Sequence, residues 1–164
     1  MKKIIIILIT LLIIYLPLST FADEFRIRLH SEPLPNKISI ELLFKFEKPS
    51  IIYHWFPLES MYPIVNGGLF IECYNVEENR KIPFMSYEKP QPKVPNEQDI
   101  LKTKEYKEVL KIAPGENYKY SPLKKGRYSL KLIYDTEGLR KYPGGKKLTP
   151  IRLESNEIFF EINQ

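Results

Sequence analysis

Residues 124–136 read KKGRYSLKLIYDT, and apolar or aromatic side chains fall at every second position: Tyr128, Leu130, Leu132 and Tyr134. Arg127, Ser129 and Lys131 take the alternate positions. A strand sends successive side chains to opposite faces. The stretch therefore reads as a strand with a buried row and a solvated row, its cations belonging to the solvated one. Gly126 supplies the turn that opens it, and the tyrosines serve the fold. A basic gripping surface is the competing reading, and the alternation argues against it.

The same period of two runs through most of the chain. FRIRLH sets Phe25, Ile27 and Leu29 against Arg26, Arg28 and His30. KISIELLFKFEK aligns Ile38, Ile40, Leu42, Phe44 and Phe46, with Ser39, Glu41 and Lys45 opposite. Pro49 ends that run, and IIYHWF starts another in which Ile51, Tyr53 and Trp55 share a face. Residues 69–87 read as a β-hairpin around the charged turn EENRK. Cys73 lies in phase with Leu69 and Ile71, as a small buried hydrophobe would. SNEIFFEIN closes the chain with Ile158, Phe160 and Ile162 in register, after a polar loop holding Gly144 and Gly145.

Two segments are less regular. EKPQPKVPNEQD carries three prolines and no apolar rhythm, so it reads as a long extended loop. ILKTKEYKEVLKI has two readings. Asp99 can cap a short helical turn near residues 99–107, or a strand near Glu108 to Ile112 carries Tyr106, Leu110 and Ile112 inward. Neither reading disturbs the fold class. Many short strands, turn signals between them and no βαβ rhythm give an all-β antiparallel sandwich of about seven to nine strands.

The first 22 residues read differently. Lys2 and Lys3 precede an apolar run, Ile4 to Leu16, that Pro17 interrupts. Thr20 and Ala22 stand at the −3 and −1 positions of a cleavage site before Asp23. That is the plan of a secretory signal peptide, 1–22, followed by a single domain over 23–164. A spanning helix needs roughly 20 apolar residues, more than this run offers. The expected location is the periplasm or the extracellular medium.

The formal charge is +5, and Lys2 and Lys3 carry two of it, which leaves about +3 after cleavage. So mild a charge, in an exported chain with no concentrated basic patch in its sequence, argues against nucleic acid as a partner. One cysteine excludes an internal disulfide.

The chain's last third resembles bacterial immunoglobulin-like domains. The carrying residues are LKIAPGENYKYSPLKKGRYSLKLIY and then ESNEIFFEI. It is also weakly similar to the non-catalytic sandwich domain of deuterolysin-like and peptidyl-lysine metalloendopeptidases. Their His-Glu-x-x-His zinc helix has no counterpart here, so that resemblance implies a sandwich without its protease. The resemblance further implies a tyrosine corner at Tyr128, its hydroxyl bonded to upstream backbone, and a core position for Trp55, with Leu130 filling the space of the missing disulfide.

A search for chemistry finds little. Two histidines, His30 and His54, and Cys73 match no metal-ligand spacing, and no nucleophile elbow or phosphate loop occurs. The expectation is a non-enzymatic module with no cofactor, no catalytic residue and no metal ligand. It would bind another envelope or secreted protein, a protease-inhibitor-like domain being one form. A small secreted hydrolase or metal-dependent enzyme with an unrecognised site is the alternative. The candidate partner-binding loop is Lys89, Pro90, Gln91, Pro92, Lys93, Val94 and Pro95, where proline lowers the entropy cost of binding. FPLESMYP, 56–63, is a second candidate.

Overall fold

The computed structural model describes residues 22–54, 68–82, 99–114 and 122–163. Eight strands form: β1 (Glu24–Leu29), β2 (Ile38–Tyr53), β3 (Gly68–Asn75), β4 (Arg80–Lys81), β5 (Ile100–Ile112), β6 (Gly126–Asp135), β7 (Arg152–Glu154) and β8 (Ile158–Ile162). They make two antiparallel sheets, one ordered β1-β2-β5 and the other β4-β3-β6-β7, with β8 also on β6. The protein is an all-β sandwich.

The alternating rows are what the sheets bury between them. Phe25 and Ile27 of β1, Ile38 to Phe44 of β2, and Leu110 and Ile112 of β5 meet Leu69, Cys73, Tyr128, Leu130, Leu132, Tyr134, Phe160 and Ile162 in one core. Phe44 stacks on Phe25 at 4.2 Å within the first sheet and meets Tyr134 of the second edge-on at 5.0 Å. Leu130 is fully buried and stands opposite Cys73 across the β3–β6 ladder. The hairpin forms as expected over its described part, β3 and β4 joined by 76–79, where Asn79 takes the left-handed conformation that asparagine tolerates.

Pro49 does not end a strand. β2 continues through it to Tyr53, and its register against β5 shifts between Lys45 and Ser50. A bulge needs no ladder donor at its extra residues, so proline fits there. Nor do residues 99–107 form the helical turn that Asp99 suggested. Asp99 is in 3-10 conformation, and Ile100–Ile112 that follows is one strand paired with β2. Twelve paired positions against β2 outweigh one capping signal.

The bulge also redirects the end of β2. Ile52 enters the main core, while Tyr53 and Ile51 face the other way. They pack with Ile100 against Leu139 and Leu148, which belong to the loop between β6 and β7. Trp55, expected to share the face of Ile51 and Tyr53, lies outside the described residues. That face belongs to this small second cluster, not to the core between the sheets.

The β6–β7 loop, expected to be merely polar, is a folded unit. Two 3-10 turns, Leu139–Lys141 and Pro143–Lys147, are tied by Tyr142 N–H to Leu139 oxygen at 3.1 Å and Leu148 N–H to Gly145 oxygen at 3.0 Å. Thr136 closes the neck. Its N–H reaches the Ile151 oxygen at 3.0 Å, its hydroxyl donates to the Thr149 oxygen at 2.8 Å, and the hydroxyl accepts from Ile151 N–H at 2.9 Å. Gly145 sits where a Cβ would stand 1.9 Å from the Leu139 carbonyl oxygen. Only glycine permits that approach.

Candidate functional site

The residues singled out in the sequence divide cleanly. Tyr128 is buried at the start of β6, and its hydroxyl donates to the Lys124 carbonyl oxygen at 2.8 Å, four residues upstream. Burial raises its pKa, and a hydrogen bond from Asn75 partly offsets that. Gly126 has φ +152°, a conformation side-chain-bearing residues rarely adopt, so it is the turn glycine. Cys73 is fully buried, and burial pushes its thiol up to about 12, far from a nucleophile's range. All three serve the sandwich. Lys89, Pro90, Gln91, Pro92, Lys93, Val94 and Pro95, together with 56–63, lie outside the described residues.

His30, His54 and Cys73 are not brought together. His30 follows β1, with its N–H on the Ser39 oxygen at the start of β2, whereas His54 follows the end of β2, with its N–H on the Asp99 oxygen. Among the described residues no three His, Cys, Asp or Glu side chains converge on a position for a metal ion.

What the fold does create is an asymmetry between the two edges of the first sheet. Hydrogen bonding fixes which backbone groups face which neighbour. His30 N–H reaches the Ser39 oxygen at 2.9 Å, so the even-numbered residues of β1 face β2 and Ile27 faces outward. The Asn156 side-chain amide fills that outward position. It accepts from Ile27 N–H at 2.9 Å and donates to the Ile27 oxygen at 3.1 Å, as a neighbouring strand would. The middle of the β1 edge is closed.

The β5 edge differs. Ile40 and Leu110 are partners facing each other across the ladder, so Glu105, Lys107, Val109 and Lys111 point their backbone groups away from β2. The Thr103 hydroxyl donates to the Glu105 oxygen at 2.5 Å and accepts from its N–H at 3.1 Å, which blunts the edge at that point. Beyond it, no described strand pairs with Lys107, Val109 or Lys111. The strand is thirteen residues long and carries four lysines against two glutamates.

One outward carboxylate behind this edge was expected to be an ordinary surface residue and is not. Glu41 is 7 % exposed. Arg28 of β1 and Lys107 of β5 close over it from both sides, Lys107 Nζ at 2.6 Å, and Ser39 beside it is buried as well. Hydrogen bonds from Arg28 and then Lys107 hold the Glu41 carboxyl below its usual range. Period-two reading assigns a face but not what long side chains on neighbouring strands lay across it.

No family model, curated protein or solved structure matches the chain.

Proposed function

We propose that this chain is an exported, non-enzymatic binding module on an immunoglobulin-like sandwich, and that it takes an extended segment of another exported polypeptide along β5. The outward groups of Lys107, Val109 and Lys111, which pair with no described strand, carry the reading. An added strand would satisfy them with main-chain hydrogen bonds, leaving side-chain pockets to select its sequence. Exposed lysines along β5 disfavour a second copy of the same edge and favour a partner with acidic side chains. The signal-like residues 1–22 support export. The sheet order β1-β2-β5 against β4-β3-β6-β7, with β8 also on β6, and the Tyr128 bond support the immunoglobulin-like description.

Hydrogen exchange tests it. The amides of Lys107, Val109 and Lys111 should exchange fast in the free protein. They should slow when it is bound to a partner recovered from the envelope or culture fluid, while Ile27 stays unchanged. Slow exchange in the free protein would mean that the chain's own residues cover this edge. Unchanged exchange in the complex would put the partner elsewhere. Either result removes the reading.

A further inference from the structure

Sequence alone offers no concentrated basic patch, but the folded β6–β7 loop makes one. Arg140 and Lys141 end the first 3-10 turn, and Lys146 and Lys147 end the second. Because the two turns fold back on each other, Arg140, Lys141 and Lys146 line one shallow open pocket of about 370 Å³, with Glu137 as its fourth wall. Several cations elsewhere on the sandwich are drawn into pairs: Lys131 with Glu154, Arg152 with Asp135, Arg28 and Lys107 with Glu41. Arg140, Lys141 and Lys146 enter no ion pair among the described residues, and all three are exposed.

The pocket is also pre-organised. Leu139 and Leu148 anchor the loop from beneath, against Tyr53, and Gly145 packs on the Leu139 carbonyl. Thr136 holds the neck. The backbone that carries the three cations is therefore already ordered, so binding an anion there costs only the ordering of their side chains.

We propose that this pocket binds a phosphorylated sugar. Three cations lining one pocket suit a group with close to two negative charges, and the planar Arg140 guanidinium can match a phosphate's oxygens in a bidentate contact. The Glu137 carboxylate on the pocket wall would repel a second anion and can accept a hydrogen bond from a hydroxyl, which suits a phosphate that stands beside a hydroxylated carbon. The pocket is open to one side, which leaves room for the phosphate to be carried on a lipid headgroup or on a free sugar.

Nuclear magnetic resonance on the full protein tests this with glucose 6-phosphate, glucose and inorganic phosphate as probes. Glucose 6-phosphate should shift the amide signals of 137–148, and glucose should not. The double variant Arg140→Gln, Lys146→Gln should weaken binding about tenfold or more while leaving signals of β1 to β6 in place. Glu137→Gln should narrow the preference for glucose 6-phosphate over inorganic phosphate. Unshifted loop signals, undiminished binding by the double variant, or inorganic phosphate binding as tightly as glucose 6-phosphate would each overturn the proposal. Phosphatidylinositol 4-phosphate vesicles, with phosphatidylcholine vesicles as blank, then separate the sources. Recruitment competed by glucose 6-phosphate assigns the lipid-borne group, and binding of the soluble probe without recruitment assigns the free one.

Discussion

The two halves of β2 are stabilised in different ways. Residues 40–45 lie between two strands, β1 and β5, in an uninterrupted ladder. Residues 50–53 have β5 on one side only. On the other side the Thr149 hydroxyl accepts from Ile51 N–H at 2.9 Å, and Thr149 N–H reaches the Ile51 oxygen at 2.9 Å. The Tyr134 hydroxyl accepts from Tyr53 N–H at 2.9 Å and donates to the Tyr53 oxygen at 3.1 Å. One loop residue and one tyrosine from the opposite sheet thus act as a substitute strand. Backbone groups must be paired when buried, but what pairs them need not be a ladder.

Four substitutions probe that difference. Leu139→Ala removes the fully buried anchor beneath Tyr53 and should cost about 3 kcal/mol, as deletions of buried leucine commonly do. Chemical denaturation measures the loss, and hydrogen exchange should quicken at Ile51 and Tyr53 before it does at 40–44. Tyr134→Phe keeps the ring but strands a buried N–H and carbonyl of Tyr53, so about 2 kcal/mol should go. An unshifted midpoint would mean that the substitute strand contributes nothing. Tyr128→Phe, in the other sheet, should cost about 1 kcal/mol, the net worth of one hydrogen bond, and leave exchange in both halves of β2 alike.

The fourth acts on the regular half through pH. Glu41 has its folded carboxyl held below the ordinary value of 4.5, so its stabilisation is complete above that value and is lost as pH falls through the depressed one. Glu41→Gln should therefore flatten part of the acid side of the stability curve. Midpoints measured from pH 7 downward, with the two proteins losing stability in parallel, would show the Arg28–Glu41–Lys107 bridge to be inert.

Much of the regular half was legible. Phe25, Ile27, Ile38, Ile40, Leu42 and Phe44 announce their face by alternation, and all are buried there. Tyr128 to Tyr134 do the same in β6. The other half was not legible, since its neighbours lie far off in sequence: Tyr134 and Tyr53 are 81 residues apart, Thr149 and Ile51 98. Pro49 looked like a terminator because a bulge that keeps the strand going leaves no periodic trace. The β6–β7 loop hid its order in glycine and proline, which normally mark connections, and its cations become neighbours only once Gly145 lets the two turns touch. As for the β5 edge, alternation shows which side chains face inward but says nothing about which strand lies outermost.

Asn156 has one further consequence. Were both edges of the β1-β2-β5 sheet open, each incoming chain could offer a fresh edge to the next, and association would have no natural end. With the Asn156 amide seated on Ile27, the middle of the β1 edge is closed, while no described strand pairs with the outer edge of β5 beyond Glu105. Strand addition at β5, as proposed, would then be a terminating event of fixed stoichiometry, one segment per domain. Replacing this single side chain would be the shortest route from a one-to-one complex to a filament.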